Sequence, residues 1–154
     1  MNLTLDDLKH TECVMNWDID AIRKQARISR LVEKFKEKLE EKDVGQTWEA
    51  LPILLFLSYE NFVSKNSVFD SSYLRYGEDV IQYELFVRKH YKAAQHVLHS
   101  SWAQIFFKMG NLKSSLNCMS KVTPYKELSN EDKAFVLALK ASVFMMYGPP
   151  GKHI

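Results

Sequence analysis

HSSWAQIFFKMGNLKSSLNCMSKV, residues 99–122, is the stretch on which the reading of this chain turns. Leu98, Trp102, Phe106 and Met109 recur at helical spacing and mark one apolar face. Gly110 and Asn111 then break the run, because glycine accepts the left-handed backbone that closes a helix. A second run starts at once, with Leu112, Leu116, Met119 and Val122 on one side. Thr123-Pro124 ends it, since proline cannot continue a helix and biases its predecessor to an extended backbone. Two helices joined by so tight a turn must fold back antiparallel.

A second copy of the first half lies near the C-terminus, in EDKAFVLALKASVFMMY (131–147) followed by Gly148. Ala103, Phe106 and Gly110 find counterparts in Ala141, Phe144 and Gly148, each pair 38 residues apart. The small residue lets the two helices of a hairpin approach, the aromatic fills the gap between hairpins, and the glycine makes the turn. Helix–turn–helix units of about 34 residues are the signature of tetratricopeptide repeats. The extra residues fit in the loop 123–130, where insertion is entropically cheap. The fold expected is therefore all-α: antiparallel helix hairpins stacked as a tetratricopeptide-repeat-like right-handed solenoid. Residues 1–154 are expected to form one such domain, with the clearest repeat at 91–123 and a partial one at 129–154.

The flanking chain reads as helix as well. Leu3 to Met15 suggests a short helix capped by Thr4, with Leu5, Leu8 and Val14 inward and Trp17 anchored on the core. Asp18 or Asp20 opens a longer helix to about Asp43, stopped at Val44-Gly45, with Ile28, Leu31, Val32, Phe35 and Leu39 as its apolar face. Arg23, Arg27, Arg30 and Lys34 follow at spacings of four, three and four and make a basic stripe, balanced by nearby glutamates. Thr47–Ser64 is apolar nearly all round, so it is expected to be wrapped by other helices, with Pro52 in its first turn or at a kink. Lys65-Asn66-Ser67 reads as a turn. Val68 to about Lys89 reads as one or two helices divided at Gly77, with Tyr73, Tyr76, Val80, Tyr83 and Val87 as a mainly core stripe.

Composition excludes several classes. The 154 residues are 46% hydrophobic with five glycines, enough for an ordered core. A formal net charge of +2 is too mild to imply nucleic acid by itself. Cys13 and Cys118 lack metal-type spacing and read as reduced thiols of a cytoplasmic or nuclear protein. The N-terminus has no apolar run of a signal peptide, and the longest such run, 51–57, is too short to span a bilayer. GPPGKH (148–153) lacks the phosphate-loop spacing. His96 and His99, at i and i+3, need a third ligand to hold a metal and read better as ordinary core or surface histidines. No catalytic, cofactor or metal residue is expected, and the chain reads as a non-enzyme.

LDDLKHTECVMNW (5–17), LPILLFLSY (51–59), residues 99–122 and the segment 129–148 together resemble the N-terminal part of the interferon-induced proteins with tetratricopeptide repeats. The resemblance spans nearly the whole chain, and 102–122 is its most specific block. It implies a right-handed helical solenoid. It also implies RNA 5′-end recognition in innate antiviral defence and assembly with other repeat proteins. No RNA-contacting motif of the family can be matched here residue by residue. Chaperone-tail clamps of repeat proteins place Lys and Asn on first helices; Ser100 and Gln104 stand there instead.

The primary expectation is a protein-interaction module, an adaptor whose groove takes a peptide or helix of a partner through Ser100, Gln104, Phe107, Lys108, Lys133 and Lys140. The alternative is RNA binding on Arg23, Arg27, Arg30 and Lys34. A third is self-association through an uncovered terminal helix, since a repeat cannot bury its apolar side alone, or through the Tyr-rich middle helices. A continuation of the repeat array beyond the given sequence is expected for the same reason.

Overall fold

The computed structural model describes residues 5–24, 26–64 and 71–148, and every regular element among them is helical. A 3-10 turn, Leu5–His10, opens the described chain. Helices α1 (Asp20–Arg23), α2 (Ile28–Glu40) and α3 (Lys42–Gly45) follow, then α4 (Ala50–Val63), α5 (Ser72–Tyr83) and α6 (Leu85–Arg88). The chain continues with α7 (Tyr91–Lys108), α8 (Leu112–Met119), a 3-10 turn Tyr125–Glu127 and α9 (Asn130–Met146).

Local chemistry sets several of these bounds. The Asn111 side chain accepts from the Ser114 N–H at 3.1 Å and starts α8. Ser129 does the same for Asp132 at 3.1 Å, and Glu131 and Asp132 sit in the favourable first turn of α9. Gly110 and Gly148 both adopt positive φ, 82° and 94°, so the two expected turns share the left-handed conformation that glycine makes cheap.

Helix α4 is the centre. Every residue from Ala50 to Glu60 is buried, because α2, α5, α7 and α9 all pack around it. Pro52 lies in its first turn, where no intrahelical N–H is needed. Phe56 is gripped by Phe35 of α2 and by Tyr147 just past α9, at ring-centroid distances of 5.2 and 5.0 Å. Helices α7 and α8 form the expected hairpin, closed by the Ser115 hydroxyl donating to the Ala103 carbonyl at 2.7 Å. Helix α9 then packs on both α7 and α4. These contacts gather α7 and α9 around the central helix α4.

Several expectations are corrected. The first helix ends at His10; residues 11–19 run on as bends, turns and irregular chain. The long helix 18–43 is three pieces, interrupted between Arg23 and Ile28 and again at Glu41, whose backbone is extended. Gly77 does not divide 68–89. It lies inside α5, pressed so close to Leu98 that a Cβ would sit 2.7 Å from its Cδ2, and the break comes at Glu84. On α8 the inward residues are Ser115, Cys118 and Met119, whereas Leu112 and Leu116 are about half exposed. Tyr83 and Met109 also face out. Thr4 and the turn at 65–67 lie outside the described residues.

Candidate interaction surfaces

The expected groove on α7 is taken by the chain itself. Residues 11–17 lie across that helix with their backbone groups bound to its side chains. The Glu12 N–H donates to His96 Nε2 at 3.0 Å, and the Val14 N–H donates to Ser101 Oγ at 2.9 Å. The Cys13 thiol reaches Gln104 Oε1 at 3.6 Å. Asn16 ties the segment to itself by donating to the carbonyls of Leu8 and Thr11. Cys13 and Val14 are fully buried, and Trp17 donates its indole N–H to Glu12 Oε2 at 2.8 Å. The segment therefore packs as core rather than as a loose strap. His96 has a defined tautomer here. Nε2 accepts, so Nδ1 carries the proton and donates to the Thr123 carbonyl at 2.7 Å. Burial pushes its pKa below the ordinary histidine value.

The six groove residues accordingly scatter. Ser100 is fully buried and bonds within its own helix, so it offers nothing to a partner. Gln104 meets Cys13, and the Lys140 ammonium lies 3.9 Å from Glu12, so both serve the N-terminal segment. Lys133 sits over the Tyr125 ring, 5.5 Å from its centroid. Phe107 and Lys108 are exposed at the C-terminal end of α7.

The basic stripe is also broken up. Arg23 forms a two-pronged pair with Glu60 of α4, at 2.9 Å on each carboxylate oxygen, and the Tyr147 hydroxyl donates to the same carboxylate at 2.7 Å. Glu60 is only 4% exposed, so this clamp neutralises a buried charge and ties α1 and the end of α9 to the central helix. Burial, then the Glu60 charge, raises the Tyr147 pKa and keeps the phenol a donor. Arg27, Arg30 and Lys34 stay exposed, with Lys34 over the Phe35 ring. Arg23 belongs to the interior clamp, and the interruption after it takes it off their helix.

The repeat positions hold in part. Trp102 and Ala103 are fully buried, and Phe106 and Phe144 pack half-buried against the core. Ala141 is exposed. It belongs to an outward face of α9 made of Ala134, Leu137, Ala138, Ala141 and Met145, with Leu137 55% and Met145 67% exposed. These fall at spacings of three, one, three and four, which is one continuous apolar stripe. Among the described residues nothing covers it as α8 covers Ala103.

His96 and His99 share a helix but turn to different partners, His99 bonding Glu78 of α5 at 3.2 Å. No three metal-type ligands converge among the described residues, and no described helix is long and apolar enough to cross a membrane. Both cysteines are buried and unbridged, and burial pushes the Cys118 thiol up to about 11, far from a nucleophile. Sequence reasoning missed the Glu60 clamp and the docked segment. The clamp's one signal was a carboxylate ending an otherwise apolar run, LPILLFLSYE. Comparison with protein-family models, curated proteins and solved structures returned no match.

Proposed function

We propose that this chain is a non-catalytic protein-interaction module. It is built of tetratricopeptide-like hairpins stacked with a right-handed turn, with α7–α8 as the clearest unit and α9 as the first helix of the next. The outward face of α9 carries the reading. Its Ala134, Ala138 and Ala141 leave room for a close helix, and Leu137 and Met145 give that helix something to bury. Burying what remains exposed of the two large side chains is worth roughly 2–4 kcal/mol before association costs, enough to help anchor a partner helix. The docking face thus moves from the expected positions, Ser100, Gln104, Phe107 and Lys108 on α7 with Lys133 and Lys140 on α9, to the outward stripe of α9.

The test is affinity capture on the protein and on its Leu137→Glu/Met145→Glu variant, each with and without nuclease. Both side chains are exposed, so the variant should unfold at the same temperature as its parent. A discrete protein retained through nuclease and lost in the variant supports the reading. Equal capture by both proteins contradicts this face. Recovery that collapses with nuclease contradicts the protein-binding function and favours the basic residues of α2.

A further inference from the structure

Residues 83–92, YELFVRKHYK, form an elbow in which the chain leaves α5, makes the single turn of α6 and enters α7. Four large apolar side chains stand out from it. Tyr83 and Leu85 are 71% and 74% exposed, and Phe86 and Tyr91 are about half exposed. The elbow is nevertheless fixed from within. Val87 is fully buried and its N–H is held by the Glu84 carboxylate at 2.7 Å. His90 pairs with Asp132 at 3.0 Å and stacks on Phe135. The apolar side chains are thus presented by a rigid frame, which lowers the entropy lost when something binds them.

Charge surrounds them unevenly. Arg88, Lys89 and Lys92 are exposed, and none makes an ion pair among the described residues. Next to them a cleft of about 580 Å³ opens between α5 and α7, rimmed by Arg88, Tyr91 and Lys121. Glu78 lies in this cleft, but its carboxylate is already met by Lys121 at 3.5 Å and His99 at 3.2 Å. Among the described residues, the charge of the cleft left without an ion-pair partner is that of Arg88. Asp79 and Glu84 lie on the other side, beside Tyr83.

We propose that the elbow and its cleft dock an acidic segment of a partner protein, one with bulky apolar side chains flanked by Asp or Glu. The apolar anchors rest on Leu85, Phe86 and Tyr91. The carboxylates meet Arg88, Lys89 and Lys92, where charge complementarity sets orientation and speeds encounter. A protein segment fits better than an anionic membrane for two reasons. A concave cleft beside the patch has room for a single side chain that a bilayer surface does not supply. Asp79 and Glu84 at the opposite edge would be repelled by a uniformly anionic surface. This site uses none of the residues of the outward α9 face, and it stands or falls separately.

The test is selection of a random displayed-peptide library on the whole protein, followed by affinity measurement of the enriched peptides. The expected winners are net acidic with Phe, Leu or Trp anchors, and they bind more weakly as salt rises. Their affinity should fall at least about tenfold in Arg88→Glu/Lys89→Glu/Lys92→Glu and about fivefold in Leu85→Ser. It should be unchanged in Leu137→Glu/Met145→Glu. All these side chains are exposed, so equal thermal unfolding of the variants checks the fold. Winners that are neutral or basic, or that bind the triple variant equally, overturn the proposal. Enrichment of no peptide overturns it too, whether or not phosphatidylserine vesicles or single-stranded RNA then bind the same surface.

Discussion

The α7–α8 hairpin and α9 carry the same local signals and end differently. Each first helix has an alanine, an aromatic three residues on, and a glycine with positive φ after that. Yet Ala103 is sealed beneath α8, with its carbonyl held by Ser115, and Ala141 faces out. Local sequence encodes the hairpin's shape, because turn and helix preferences act over a few residues. Whether the face is then covered depends on what lies opposite, which no local signal specifies. A covered alanine is a matter of folding, whereas the exposed one contributes little to it.

The sharpest way to break that contrast is to place the same charge at both positions. Ala103→Glu buries a carboxylate without a partner and should destabilise by roughly 3–5 kcal/mol, or abolish folding. Ala141→Glu should change stability by no more than about 0.5 kcal/mol. Denaturant unfolding of the two variants measures the difference, and equal losses would show that the two faces are equally buried.

The inner side of α9 offers the next contrast, because it is held by the Arg23–Glu60–Tyr147 clamp while the outer side is held by nothing described. Arg23→Ala leaves Glu60 buried with the phenol as its remaining donor. The expected loss is about 2–4 kcal/mol, toward the lower end because the guanidinium is a third exposed and partly solvated. Amide exchange should accelerate first at the C-terminal end of α9. Uniform acceleration would mean that the clamp does not hold that end in particular.

The smallest effect concerns the N-terminal segment on α7. His96 must stay neutral to accept from Glu12, and its folded pKa lies below the ordinary value of 6.5. The unfolded chain therefore takes up the proton first as pH falls. His96 contributes stability above about pH 6.5 that is lost as pH drops through its folded pKa. Urea unfolding at about pH 7.5 and about pH 5.5 should show a smaller acid loss in His96→Gln than in the parent. An identical loss in both would remove His96 from the account.

Much of the architecture was legible. Periodicity located the central apolar helix, the hairpin and α9, and Gly110 and Gly148 marked real boundaries, whereas α8 ends at Met119, ahead of the expected stop at Thr123-Pro124. The sites were less so. Ser100 and Gln104 read as groove residues because polar side chains on a first helix usually face solvent. Here a distant segment, more than eighty residues earlier, comes back to bind the same helix. Arg23 read as part of a surface stripe because a continuous helix was assumed, and its partner Glu60 lies 37 residues away. Long-range pairings of this kind leave no periodic trace. The elbow at 83–92 was read only in part: Tyr83 and Val87 were placed in a mainly core stripe, and of the two only Val87 is buried.

One measurement tests the account most directly. A photo-crosslinking amino acid is placed at Ala141, and at Lys126 as an equally exposed control, in the protein expressed in its native cells. The account predicts a discrete protein adduct at position 141 that is absent at 126 and disappears with Leu137→Glu/Met145→Glu. The same adducts at both positions, or none at 141, would contradict the claim that the outward face of α9 is where this molecule meets its partner.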